Sequence, residues 1–374
     1  MLLDATAVPA ERGGVGRYVD QLAAALDGEG ADLAVVCQDR DTEVFAALAP
    51  HAEVVPAAAD LTRRPARLAW EQTGLPRLAR RVRADVIHSP HYTMPLAADV
   101  PVVVTLHDAT FFSDRHLHGG VKGRFFRSWT RLSLRRAAVC VVPSAATADE
   151  LTRLVGAHRD RLVVAHHGVD AHFRPPEPDR IDAVRRHLDL GDRSWIAFLG
   201  TLEPRKNVPA LIRAYLRVGR DRPDPPALVL AGAPGWDRSI EPALAAVPPE
   251  LRVIRTGHLP FDLLPGLLGG AEVVAYPSLG EGFGLPVLEA MACGAAVLTT
   301  RTLSLPEVGG DAVAYCGTGA GDIAAVLGEL LDQPDRRAAL SAAAQERAAG
   351  FTWPASARAH LDAYRRAVTE AVGR

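Results

Sequence analysis

Glu281 and Glu289, with seven residues between them, bracket a glycine-rich turn in the stretch YPSLGEGFGLPVLEAMACGAAVLTT, residues 276–300. Gly282 and Gly284 permit close backbone approach and positive φ where a side chain would block both. Pro286 follows at a position suited to a first helical turn, whose amides have no partners within the helix. Those amides and the helix dipole make an anion site. A phosphate held there would lie between two carboxylates able to accept from hydroxyl groups, and an anion beside many hydroxyls describes a nucleotide sugar. The plain alternative is a buried strand–turn–helix joint, but such a joint needs neither glutamate.

A second set lies in GTLEPRKN, residues 200–207, directly after an apolar run. Arg205 and Lys206 fall where a helix should begin, so cations and amides could together grip a diphosphate. Arginine is plentiful in this chain, whereas Lys122 and Lys206 are the two lysines among its 42 basic residues. Lys206 is therefore the less easily dismissed as surface charge.

GGVGRY, residues 13–18, offers Gly14, Val15 and Gly16 at a first strand-to-helix turn, but it does not complete the G-x-G-x-x-G dinucleotide fingerprint. Histidines recur at strand ends: His88 and His91 in HSPHY, His107 in TLHD, His166 and His167 in AHHG. His107 closes the most apolar of these runs and is the preferred site residue. Asp39-Arg40-Asp41 could hold a divalent cation or meet a ribose, or could form a polar turn at a helix start. No H-E-x-x-H or comparable ligand spacing occurs, so neither a metal nor a cofactor is predicted.

These motifs need elements to carry them. Apolar strand-like runs alternate with helical spacing along the chain, which predicts parallel sheets covered on both faces. Strands are expected at 2–8, 31–37, 53–55, 85–88, 100–107, 137–142 and 161–166, and helices at 13–26, 77–83, 122–136 and 145–154. The prolines of GVDAHFRPPEPD (168–179) read as an interdomain linker, after which the alternation restarts. The predicted division is an N-terminal domain 1–175, a second domain 176–350 and a terminal helical segment 351–374. Each motif falls in a strand-to-helix turn, where ligands of doubly wound sheets bind.

With 374 residues the chain can bury two cores, and a net charge of −2 gives no basis for general nucleic-acid binding. The four cysteines lack C-x-x-C spacing and read as free thiols of a reducing compartment. Without a long apolar run, the expectation is a cytoplasmic protein. Between residues 115 and 148, however, seven cations (Arg115, Lys122, Arg124, Arg127, Arg131, Arg135, Arg136) stand without one acid, interleaved with Phe125, Phe126 and Trp129. Segment 115–136 could meet the inner face of a membrane or simply be a solvated face.

Taken together, GEGFGLPVLEAMACG, GTLEPRKN, GGVGRY and LPEVGGDAVAY resemble the signatures of family four of the retaining glycosyltransferases, over nearly the whole chain. The resemblance implies the GT-B fold: two facing Rossmann-like, doubly wound α/β domains, with a C-terminal helix crossing back. It implies an acceptor-binding first domain and a nucleotide-sugar-binding second domain. Glu281 would contact donor-sugar hydroxyls and Glu289 the ribose. The amides of Phe283, Gly284 and Leu285 would hold sugar and phosphate. Arg205 and Lys206 would neutralise the leaving diphosphate, His107 would touch the donor sugar, and Leu259 in TGHLP would lie nearest the base. Gly14 and Val15 would serve substrate binding in the first domain.

The activity implied is metal-independent transfer of a hexose, mannose or a deoxyhexose, from a nucleotide sugar with GDP-mannose favoured, to a glycan or lipid-linked acceptor. Within the family the chain looks most like mannosyl- or rhamnosyltransferases of surface polysaccharide assembly. Two other classes remain open at this point. A nicotinamide-dependent oxidoreductase would use Gly14, Gly16 and Asp39 and leave Lys206 and both glutamates idle. A non-catalytic nucleotide-binding relative would keep the fold without turnover.

Overall fold

The computed structural model describes every residue except 11, 58–60, 114–119 and 374. Two compact units divide the chain: Met1–Gly168 with Thr352–Arg374, and Val169–Phe351. The chain thus passes into the second unit at Val169 and returns to the first at Thr352.

The first unit holds strands β1 (Leu2–Asp4), β2 (Ala34–Cys37), β3 (Glu53–Pro56), β4 (Ile87–Ser89), β5 (Val102–Thr105), β6 (Val139–Val142) and β7 (Leu162–Val164). They form one sheet in the order β3-β2-β1-β4-β5-β6-β7, with every pairing parallel. Neighbouring residues point to opposite faces of a strand, and the packing shows it. Leu2, Val36, Val104 and Val142 join one core with Leu75, Leu78, Phe126 and Trp129 of the helices Arg64–Arg81 and Gly120–Arg136. Leu3, Val35, Val103 and Val141 join the other, against Tyr18, Leu22 and Leu26 of Gly14–Gly28 and Ala357, Ala363 and Ala367 of Trp353–Val372. Two covered faces explain why these strands are apolar throughout rather than alternating.

The second unit repeats the plan with β8 (Trp195–Leu199), β9 (Ala227–Ala231), β10 (Val253–Gly257), β11 (Val273–Tyr276), β12 (Val297–Thr300) and β13 (Ala314–Cys316), ordered β10-β9-β8-β11-β12-β13 and all parallel. In both sheets the strand order reverses beside the first strand, between β1 and β4 and between β8 and β11. Such reversal points open a crevice beyond the carboxyl ends of the strands.

Three local expectations change. The helix expected at 77–83 runs Arg64–Arg81 with Pro76 inside it. Gln72 holds that turn by donating to the Met94 carbonyl at 2.9 Å and accepting from the Leu96 amide at 3.0 Å, while Leu75 and Leu78 are buried. Tertiary packing here outweighs the proline's local preference. The proline-rich linker already contains a helix, Pro178–His187, opened by Pro178 itself. Strand β5 ends at Thr105, so His107 stands on the loop beyond it.

The cysteines Cys37, Cys140 and Cys293 are buried and Cys316 half-buried, all as free thiols. No helix among the described residues is long and apolar enough to cross a membrane.

Candidate functional site

In the second unit the loops after β8 and β11 meet. The Leu279 amide donates to the Arg205 carbonyl at 2.8 Å, joining residues far apart in the chain. Arg205 and Lys206 sit on a single 3-10 turn, Pro204–Lys206, rather than on the helix itself. Asn207 follows with φ 58°, and helix Val208–Gly219 then begins. That kink turns both cations toward the neighbouring loop.

Glu281 is the centre of what they reach. Its Oε1 accepts from Lys206 Nζ at 2.7 Å, from the Ser278 hydroxyl at 2.7 Å and from the Tyr276 hydroxyl at 2.9 Å. Its Oε2 accepts from Arg205, which also donates to the Gly280 carbonyl at 2.8 Å and to Glu203 at 2.6 Å. Lys206 Nζ additionally donates to the Tyr276 hydroxyl. Two cations and two carboxylates therefore balance in a site where Lys206 and Glu281 are each 7% exposed.

Burial alone would raise the Glu281 carboxyl, but Arg205, Lys206 and the hydroxyl donors overcome it and hold the group down at about 2. Burial lowers the Lys206 ammonium, with Glu281 pulling the other way. Tyr276 is pushed well above the ordinary phenol range, first by burial and then by the Glu281 charge. Its hydroxyl keeps its proton.

The glycine turn is shaped from behind. Ser304 Oγ lies 2.8 Å from both the Glu281 and Phe283 carbonyls, and Thr300 Oγ1 donates to the Ser278 carbonyl at 2.6 Å. Of the two glycines expected to need positive φ, Gly284 has it, at 107°, and Gly282 does not. Gly284 caps helix Leu285–Ala292, which starts with Pro286 in its first turn. Glu289 lies on that helix, 3% exposed, and Leu259 is buried between β10 and the 3-10 turn Phe261–Leu263.

Four members of this site carried no assignment from sequence: Glu203, Tyr276, Ser278 and Ser304. Tyr276 and Ser278 lie inside the stretch that drew attention, but a lone hydroxyl has no spacing signature. Ser304 gave no signal at all.

The first unit presents its own set at the carboxyl ends of β1, β4 and β5. Gly14 and Val15 open helix Gly14–Gly28, and a Cβ placed on Gly14 would meet nothing within 4 Å. Gly16 instead packs on Arg12. His107 Nε2 lies 2.7 Å from the Pro90 carbonyl, an acceptor, so this nitrogen carries the proton and Nδ1 is left to accept. Burial lowers the His107 imidazole, against the Pro90 bond and Asp108. His88 is wholly buried inside β4, a core histidine. His91 stacks on Phe126 at 5.9 Å, and burial lowers it to about 3. Asp39-Arg40-Asp41 forms a 3-10 turn before a helix, with Asp41 paired to Arg12 at 3.0 Å. The turn reading, not the cation reading, describes it.

Comparison with known proteins follows the same division. Residues 12–173 match the model of Glycosyltransferase Family 4, and residues 180–347 that of Glycosyl transferases group 1. O-antigen chain mannosyltransferase B of Escherichia coli is 29% identical over 303 residues, 80% of this chain and 77% of that one. A D-inositol 3-phosphate glycosyltransferase of Kineococcus radiotolerans is 31% identical over 326 residues, 76% of this chain and 72% of that one. Among solved structures, Anabaena HepE, crystallised with UDP and glucose, superposes with a TM-score of 0.77 at 18% identity, over 96% of this chain and 98% of that one.

Proposed function

The chain belongs to glycosyltransferase family 4, and we propose that it moves a hexose, mannose or a deoxyhexose, from a nucleotide sugar to a glycan or lipid-linked acceptor with retention at the reacting carbon. The observation that carries this reading is the buried Arg205–Lys206–Glu281 cluster at the β8/β11 reversal point. Glu281 Oε1 already accepts three donors, so sugar hydroxyls would be received mainly at Oε2. The diphosphate would draw Arg205 and Lys206 toward itself and release part of the Glu281 carboxylate for the sugar. Glu289 would take the ribose, Leu259 would line the base, and the Phe283, Gly284 and Leu285 amides would hold sugar and phosphate.

In the proposed step the sugar's bond to the diphosphate oxygen breaks as the acceptor oxygen bonds to the same face of that carbon. The acceptor's proton passes to the departing phosphate oxygen, whose negative charge Arg205 and Lys206 neutralise. This route uses no metal and needs no pair of carboxylates spaced for nucleophile and acid, unlike glycosidases. In the first unit, His107, Gly14 and Val15 would contact substrate. The mannosyltransferase among the relatives supports mannose, and GDP-mannose is the donor favoured here.

For the acceptor, a lipid-linked glycan at an anionic membrane surface suits helix Gly120–Arg136, where Lys122, Arg124, Arg127, Arg131, Arg135 and Arg136 occur without an acid. Val121 on it is 76% exposed. Arg115, part of the same sequence run, lies outside the described residues.

A thermal-shift panel without added metal tests the reading: GDP-mannose, dTDP-rhamnose, UDP-glucose, UDP-N-acetylglucosamine, the free nucleotides and NADH. A ligand that binds the folded state raises the melting temperature with its concentration. One nucleotide sugar is expected to do so, GDP-mannose first. Stabilisation by NADH alone would overturn the assignment.

A further inference from the structure

Within the first unit, a file of buried polar side chains has no part in the reaction proposed above. It begins at a carbonyl. His360 Nδ1 lies 2.7 Å from the Ser356 oxygen, which can only accept, so the proton sits on Nδ1 and Nε2 is an acceptor. The Tyr18 hydroxyl, 2.8 Å from that Nε2, must therefore donate to it. With its one proton committed, the Tyr18 oxygen accepts from Thr105 Oγ1 at 2.8 Å. Thr105 in turn accepts from His88 Nε2 at 2.8 Å, and His88 Nδ1 accepts from the Tyr364 hydroxyl at 2.8 Å. One backbone carbonyl thus orients every proton from helix Trp353–Val372, through β5 and β4, and back to the same helix. None of Tyr18, His88, Thr105, Ser356, His360 or Tyr364 is more than 4% exposed. A proton reversed anywhere would set two donors or two bare lone pairs face to face in a dry interior.

Tyr18 is where this file touches the candidate site. It stands one turn into helix Gly14–Gly28, so it fixes the turn that bears Gly14 and Val15. Its ring lies 5.1 Å from His107 and near-perpendicular to it, 4.8 Å from His167 and 6.2 Å from Trp353. The ring cannot slide without breaking the hydroxyl's two bonds, and it forms one wall against His107. We infer that Tyr18, held in place by His360 of the C-terminal helix, is a positioning residue that orients His107 and the Gly14–Val15 turn. The inference rests on the reading that those two elements meet substrate.

Long-range proton–nitrogen spectra of the full chain carrying isotope-labelled histidine read the tautomers directly, with no sugar donor present. The wild-type chain at neutral pH is expected to show single tautomers: Nδ1–H for His360, Nε2–H for His88 and Nε2–H for His107. In Tyr18→Phe the ring remains but its tether is gone, so the His107 ring signals should shift and broaden while the Pro90 carbonyl keeps the proton on Nε2. His360→Gln, which still offers an oxygen to the Tyr18 hydroxyl, should leave the His107 signals sharp and in place. An unchanged His107 in a folded Tyr18→Phe overturns the inference. So does a wild-type spectrum with the opposite tautomer at His360 or His88, which decides the matter even if the variant fails to fold. Donor titration of His107→Ala separately tests whether His107 meets the sugar, so the two failures can be told apart.

Discussion

Glu281 draws on four side chains, and the consequences of removing each differ. Lys206→Ala strips one partner from a buried ion pair, and a loss of about 3 kcal/mol in the second unit is expected from denaturant melts. Lys206→Ala and Glu289→Ala should also weaken donor binding, whereas Glu281→Ala should cost turnover more than affinity. Unchanged donor titrations in the first two would break the diphosphate and ribose assignments. The acid limb is equally specific. Because Glu281 is held at about 2, below its ordinary 4.5, its stabilisation is complete above pH 4.5 and fades as the pH falls toward 2. Glu281→Gln should abolish that part of the acid dependence. These residues were legible because their types are costly to place: paired glutamates around glycines, and a lysine in a chain that otherwise uses arginine. Tyr276, Ser278 and Ser304 were not, since a hydroxyl earns its role only from what the fold brings within hydrogen-bond reach.

At the scale of elements, the glycine turn depends on one backbone conformation. Gly284 has φ 107°, and a Cβ there would lie 3.0 Å from Leu305 Cδ2. Gly284→Ala is therefore expected to destabilise the second unit by about 1–3 kcal/mol, from strain at a positive φ, and to weaken nucleotide-sugar binding in the same samples. A melt and donor titration equal to wild type would show that the turn can be rebuilt without that conformation. The strands were readable because helices cover both sheet faces, so that β2, β5 and β6 are apolar over most of their length. The full span of helix Arg64–Arg81 is not legible in the sequence, since Gly74 and Pro76 are local breakers. What overrides them, the Gln72 clamp and the burial of Leu75, lies in residues distant in sequence.

For the whole molecule, acid sensitivity should sit in the first unit well before Glu281 matters. His360 is lowered by burial to about 4, so between pH 6.5 and 4 the unfolded chain binds a proton that the folded one refuses. Stability should therefore fall as the pH drops through that window, by up to about 1.4 kcal/mol per pH unit for each such histidine. His88 and His167, also lowered well below the ordinary imidazole range by burial, add to the loss. Calorimetry across pH 7 to 4 should show the first unit's transition moving down ahead of the second's. Equal movement of both would contradict it. The presence of two α/β units was legible from the restart of alternation after the proline-rich stretch 168–179. That helix Trp353–Val372 would bond Tyr18 of helix Gly14–Gly28 and His88 of β4 was not, because His360 and Tyr364 look like ordinary polar positions on an amphipathic helix.

The division of the chain has a further consequence for how the protein comes into being. The first unit owns both Met1–Gly168 and Thr352–Arg374, while Val169–Phe351 is contiguous. During synthesis the second unit is complete first, although it begins later. At about 5–20 residues per second, the earlier sheet waits roughly ten seconds or more with the face meant for Trp353–Val372 uncovered, including His88, Thr105 and Tyr18. The newborn chain is thus most in need of a chaperone at the first unit's sheet, until helix Trp353–Val372 leaves the ribosome.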